Sequence, residues 1–292
     1  MVKEALRGFW KKGSATMDRR GFLRLFPAAG ALAAGTALGG LPEVRASGIE
    51  TAGPTKVGKL GRNISHSKYQ RLVDPEKWAA CKRDLVWGLH DGVLREMPCW
   101  IGVERDNETG MRATVWLYEL PDNILVVDSI SSIDANAPFL SDPDFSDEIK
   151  KWTNDLSLIP YGHGEKTDNI FEDIGSTEYL NLEAVMVDDV KYYSSSSYAK
   201  KLPIVLAKLS TSSWQMDDLL QRIDNQTIWH VGDSLFDWYV ENAYAAMRDN
   251  GKWEAPFPYR GEKRGDFKCK ITGFYALCLA NAARLDSKGL LS

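Results

Sequence analysis

The chain has 292 residues, with 36 Lys and Arg against 40 Asp and Glu and a formal charge of −4. Eight of the basic and three of the acidic residues lie in residues 1–46, so the remainder carries 28 against 37, a formal charge of −9. A body of this length can bury a core without disulfide or metal staples. Its acidity argues against a nucleic-acid partner, which needs a basic face, and against docking on anionic lipid.

The first legible element is Asp18-Arg19-Arg20-Gly21-Phe22-Leu23-Arg24. An Ala/Gly-rich, weakly apolar run from Leu25 to Leu41 follows, then the small-residue site Val44-Arg45-Ala46. Basic region, apolar region and small-residue cleavage site are the layout of a twin-arginine export signal, with Arg19, Arg20, Phe22 and Leu23 as its recognition residues. The apolar run is short and Gly/Ala-rich for a membrane span. The expectation is export to the periplasm by the twin-arginine machinery, with anchoring if the signal is retained. No second stretch approaches a span, so no integral membrane segment is expected in the body.

Residues 47–70 read as a flexible linker, and 71–292 as one domain. Asp74-Pro75 starts a helix, with Asp as N-cap and Pro in the first turn. Trp78, Cys81, Leu85, Leu89 and Val93 carry it at helical spacing to about Glu96. Three strands follow: Cys99 to Val103, Met111 to Leu120 and Ile124 to Ile130, separated by turns at Asn107–Gly110 and Pro121–Asn123. Ser146 caps a helix with Ile149, Trp152 and Leu156 on its inner face. A polar loop runs from Tyr161 to Glu178, Leu182 to Val187 forms a further strand, and helices are expected at 197–209, 213–223, 231–248 and 271–286. The fold class this implies is α+β: an antiparallel β-meander followed by a mainly helical C-terminal half, in a single domain.

Chemistry-bearing residues are sparse. The loop Tyr161-Gly162-His163-Gly164-Glu165-Lys166-Thr167-Asp168 sets a histidine between two glycines and carboxylates beside it, so His163, Glu165 and Asp168 are candidates for general-base work. Cys99 could serve as a thiol nucleophile with His163 as its base, although no local cysteine-hydrolase signature surrounds it. The four cysteines, Cys81, Cys99, Cys269 and Cys278, form no CxxC pair, so no metal site is expected. At least one disulfide among them is expected in an oxidising compartment. His66, His90 and His230 read as scattered surface or core histidines. No dinucleotide loop, phosphate loop or nucleophile elbow is present, and the sequence names no cofactor.

Residues 169–284 resemble the TraU-like proteins of conjugative transfer systems. Asn169-Ile170-Phe171-Glu172-Asp173-Ile174-Gly175 is similar to their acidic segment ending in Ile-Gly. Pro203-Ile204-Val205-Leu206-Ala207-Lys208-Leu209 with Trp214, then Pro258-Tyr259-Arg260-Gly261 and the Ala-rich helix ending Ala283-Arg284, follow in matching order. The Cys-rich N-terminal half of that family is missing here. The resemblance implies an envelope component of a mating apparatus and carries over no catalytic residue.

The function expected from these features is a non-catalytic periplasmic subunit or accessory of an envelope assembly, with a protein partner there. The ten Trp and eleven Tyr would serve partner contact as well as the core. The alternative is a periplasmic enzyme, or the accessory of a redox enzyme, exported folded with its cofactor.

Overall fold

The computed structural model describes residues 69–83, 94–106, 109–161, 181–187, 199–207, 216–246, 256–258 and 271–290, together with Phe171, Ile174 and Trp253. In chain order the elements are β1 (Tyr69–Arg71), α1 (Pro75–Ala80), β2 (Pro98–Arg105), β3 (Arg112–Leu120), β4 (Ile124–Asp134), α2 (Ser146–Asn154), β5 (Leu158–Tyr161) and β6 (Asn181–Val187). They continue with β7 (Ile204–Leu206), α3 (Met216–Asp224), β8 (Ile228–His230), α4 (Ser234–Glu241), β9 (Ala243–Ala246), β10 (Phe257–Pro258) and α5 (Thr272–Ser287).

The centre is a seven-stranded mixed sheet in the order β5-β4-β3-β2-β6-β7, with β8 also paired to β4. β2, β3 and β4 run antiparallel in sequence. β6 joins β2 in parallel, and β7 joins β6 in parallel. The outer edge of the long strand β4 is shared by two short parallel strands, β8 along Leu125–Val127 and β5 along Ser131–Asp134. A second, three-stranded sheet is ordered β1-β9-β10.

This corrects the expected fold class. The chain is not a β-meander followed by a helical half, because β5, β6, β7 and β8 return from later in the sequence to extend the sheet on both sides. Parallel neighbours need long crossovers, so their partners lie outside any local sequence window. Residues 197–209, expected as a helix, hold a 3-10 turn at Ala199–Lys201 and then β7. Pro203 sits between them, and the residue before a proline is driven out of the helical region. The expected helix over 231–248 stops at Glu241, and β9 takes Ala243–Ala246. Tyr161, expected in a polar loop, ends β5, and Phe171 beyond it is a core residue. The first helix keeps its start, where the Asp74 side chain accepts from the Glu76 N–H at 2.9 Å, but the described α1 ends at Ala80. Residues 84–93 of that expected helix lie outside the described residues.

Both faces of the sheet are covered. Trp100, Ala113, Val115, Leu117, Leu125, Val127, Ile133 and Met186 face α4 and α5. Cys99, Ile101, Val103, Tyr118, Val126, Val185 and Val187 face Leu94, Phe171, Ile174 and Ala199. α5 is buried around nearly its whole circumference, as its Ala- and Leu-rich sequence requires. It lies on β2 so closely that a Cβ on Gly102 would come within 1.9 Å of the Ala276 carbonyl oxygen.

The far end of α5 is tied by buried charge. Arg284, 2% exposed, pairs with Asp218 of α3 and bonds Asn281 Oδ1 at 3.0 Å. Arg222 bonds the same Asp218 and reaches the β3–β4 turn at the Asn123 carbonyl, 2.7 Å away. That turn holds Asp122 and Asn123 at positive φ, which their short polar side chains tolerate. Among the described residues no helix is long and apolar enough to cross a membrane.

Candidate functional site

The end of the sheet opposite that charge cluster gathers the acidic chemistry. The run Trp100-Ile101-Gly102-Val103 is apolar and alternates between two covered faces, then gives way to Glu104, Arg105 and Asp106. On the parallel neighbour β6, Ala184-Val185-Met186-Val187 is likewise apolar and runs on in the sequence into Asp188 and Asp189. The register sets Val103 opposite Val187, so the residue before Glu104 on β2 stands beside the residue that precedes Asp188 in the sequence. Asp188 and Asp189 themselves lie outside the described residues.

Glu104 is fully buried, on the face that carries Trp100 and Gly102 beneath α5. It pairs with Ala113 on β3, and Ala113 pairs with Ser131 on β4, so Glu104, Ala113 and Ser131 form one row across three strands. α5 runs antiparallel to β2: its end packs on Trp100, where the indole N–H donates to Ser287 Oγ at 2.8 Å, and its middle packs on Gly102 through Ala276 and Ala280. One step further along each element, at i+2 on a strand and i−3 on a helix, come Glu104 and Gly273. The N-terminal turn of α5, the positive end of its dipole, therefore lies at the level of the Glu104 carboxyl group.

Asp106 serves the adjacent hairpin. Its carboxylate accepts from the Thr109 hydroxyl and from the Thr109 N–H at 3.2 Å, while its carbonyl accepts from the Gly110 N–H at 2.9 Å. On the opposite face, Arg105 and Arg112 are cross-strand neighbours, and the Arg112 guanidinium lies 4.4 Å from the centre of the Tyr161 ring. Among the described residues no three His, Cys, Asp or Glu side chains converge as a metal set. The carboxylates described there, those of Glu104 and Asp106, are hard oxygen donors.

The residues singled out from sequence are placed as follows. His163, Glu165 and Asp168 lie outside the described residues, as do Arg19, Arg20, Phe22 and Leu23 of the export signal. Cys99 is in the core opposite Tyr118, and burial pushes its thiol far above the ordinary range, so it is held as a protonated thiol. Cys278 is raised in the same way, and Cys81 is pushed up to about 11 by burial. These three are free thiols among the described residues, and Cys269 lies outside them.

His230 is a core histidine. Its ring stacks on Trp78 with centroids 4.0 Å apart. The Gly232 N–H donates to Nδ1 at 3.0 Å, so Nε2 carries the proton and donates to the Trp78 carbonyl at 2.9 Å. Burial lowers its pKa to about 4, helped by Lys82 and Arg83 nearby. The sign follows: the unfolded chain takes up a proton near pH 6.5, the folded chain only near 4. The stability His230 contributes is present above pH 6.5 and is lost as the pH falls towards 4, by up to about 3 kcal/mol. Asp237, which accepts from the Trp78 indole at 2.7 Å, has a carboxyl raised by burial and acts in the opposite sense. Urea unfolding of wild type and His230→Gln at pH 7.5 and 4.5 isolates the histidine: the variant loses less on acidification.

Glu104, Asp188 and Asp189 were not among the residues singled out from sequence. The signal that identifies them is an apolar strand run ending abruptly in carboxylates, present twice in the chain, at Val103-Glu104 and at Val187-Asp188-Asp189.

No protein-family model matches the chain, and no curated protein matches it. Among solved structures it resembles the large terminase of bacteriophage HK97, with 14% identity and a TM-score of 0.58 over 74% of this chain and 44% of that one. The chain thus spans less than half the length of that terminase. Fainter likenesses are to the large terminase nuclease of thermophilic phage G20c with bound magnesium, at 10% identity and TM-score 0.39 over 64% of this chain and 82% of that one, and to a yeast mitochondrial Holliday junction resolvase, at 11% and 0.31 over 70% and 85%. The first of these carries the fold: the mixed seven-stranded sheet with its helices resembles that of a phage large terminase.

That likeness overturns the expectation of a non-catalytic periplasmic accessory with an envelope partner and no nucleic acid, since the shared fold is that of a phage terminase. The physical reason for the error is that net charge and aromatic content are averages over the chain. A negative total of this size is compatible with a local nucleic-acid site, and carboxylates at a catalytic edge add to it.

Proposed function

We propose that the chain is a nucleic-acid phosphodiesterase whose centre lies at the Glu104 end of the sheet. The observation that carries the reading is the parallel β2–β6 pair, in a sheet that resembles that of a phage terminase: Glu104 follows Val103 on β2, and Asp188-Asp189 follow Val187, its register partner, in the sequence. Carboxylates at adjoining strand ends are the donor chemistry of hard divalent cations, which assist hydrolysis of phosphodiesters by polarising the phosphoryl oxygen and lowering the pKa of water. In this reading Glu104 is held by the sheet beneath α5, and the two aspartates supply further carboxylates of the same centre.

The test is direct. Purified full-length protein is incubated with supercoiled plasmid, linear duplex and single-stranded oligonucleotides of DNA and RNA, with magnesium, manganese or chelator. Cleavage that requires the cation and falls at least a hundredfold in Asp188→Asn or Asp189→Asn is the expected result. Absence of cleavage on all substrates, or cleavage indifferent to both variants, overturns the reading.

A further inference from the structure

Ile271 stands at the N-cap position of α5 and its side chain makes no capping hydrogen bond. Packing therefore contributes to holding this buried helix start. The packing partner is Tyr239 of α4. A Cβ built on Gly273 would meet its ring at 2.2 Å, so the absence of a side chain at Gly273 is what lets ring and helix backbone touch. Tyr239 is itself fully buried, and its hydroxyl lies 3.1 Å from Ser131 Oγ and 3.0 Å from Met111 Sδ. Ser131 belongs to the row that contains Glu104, two strands away.

We infer that Tyr239 is a positioning residue for the Glu104 centre: its ring sets the height of the α5 first turn above the sheet, and its hydroxyl, anchored on Ser131, sets the ring. The inference rests on the reading of the Glu104 end as the catalytic centre. A tyrosine used only to fill volume would not need its hydroxyl, and removing that group would leave the turn in place. A positioning tyrosine loses its anchor with the hydroxyl, and the turn shifts relative to Glu104. Displacements of this order cost rate rather than binding, because substrate affinity comes from contacts spread over a larger surface.

Tyr239→Phe, Ser131→Ala and the double variant test this, with Gly289→Ala as a control. Gly289 has φ +67° and no neighbour within 4 Å of an added Cβ, so that substitution lowers stability without touching the row. Two readouts are taken: kcat and KM for cation-dependent cleavage, and amide hydrogen exchange over residues 272–276. The expected result is a kcat about tenfold lower in each single variant with KM within about twofold, no further loss in the double variant, and exchange about tenfold faster at the α5 start. The control should keep its kcat. Unchanged kcat in Tyr239→Phe, unchanged exchange, or an equal loss in the control overturns the inference. If wild type cleaves nothing, the functional reading fails by itself, and the exchange data still decide whether Tyr239 holds the turn.

Discussion

Glu104→Gln is expected to abolish cleavage while leaving the protein folded and no less stable. The substitution preserves the shape of a side chain that is fully buried in a close-packed sheet, so neither a cavity nor an overpacked site results. What it removes is the acidic function of a side chain buried on the sheet face that carries Trp100 and Ala113. Burying such a group is costly unless its surroundings compensate, and functional sites are where proteins tolerate that cost. The activity should fall by a hundredfold to a thousandfold, the range seen when one electrostatic group of a catalytic centre is lost. The melting temperature should stay level. The opposite pattern, retained cleavage with a lower melting temperature, would make Glu104 a structural residue and move the catalytic centre elsewhere. Cleavage rates and thermal unfolding measured on the same preparation separate the two.

The strands β2, β3 and β4 were legible because β3 alternates with period two, β2 and β4 open as short apolar runs, and the chain turns between them at Gly110 and at Asp122-Asn123. The rest of the sheet was not, for reasons that differ by element. β7 and β8 have three residues each, too short for any period to show, and their strand state comes from the partners that β6 and β4 offer. The run from Leu235 to Ala246 is apolar but for Asp237, Glu241 and Asn242, and Asp237 and Glu241 keep helical i, i+4 spacing, so its pattern reads as one helix and does not mark the change from α4 to β9 at Asn242. The site shares this limit. Glu104 and Asp188 are eighty-four positions apart in sequence, and only the parallel register of β2 with β6 makes their strand ends neighbours. The loop around His163 drew notice because Gly, His and acidic residues are adjacent there, which is a local pattern. A centre assembled from strand ends leaves no such local mark beyond the loss of apolar character at each end.

Gly102→Ala should be the most damaging single methyl in the sheet. Its added Cβ would lie 1.9 Å from the Ala276 carbonyl oxygen and 2.6 Å from the Ala280 nitrogen, both backbone atoms of α5. Side chains can rotate away from an intruding methyl, whereas a helix backbone can only move as a unit. α5 has little freedom to do so, being fixed at one end by Tyr239 against Gly273 and at the other by the Arg284–Asp218 pair. Overpacking of a core with mobile side chains costs about 1–3 kcal/mol, and a clash against fixed backbone belongs above that, at about 3–5 kcal/mol. Gly289→Ala gives the scale, since its cost is the left-handed backbone alone, about 1–2 kcal/mol. Urea titration of the two variants should show Gly102→Ala losing at least twice as much as Gly289→Ala. Part of the loss should be relieved in Gly102→Ala protein carrying Arg284→Met, where the far anchor of α5 is released and the helix can tilt. If Gly102→Ala unfolds no earlier than Gly289→Ala, α5 does not lie on β2 at the described distance, and the placement of its first turn over Glu104 fails with it.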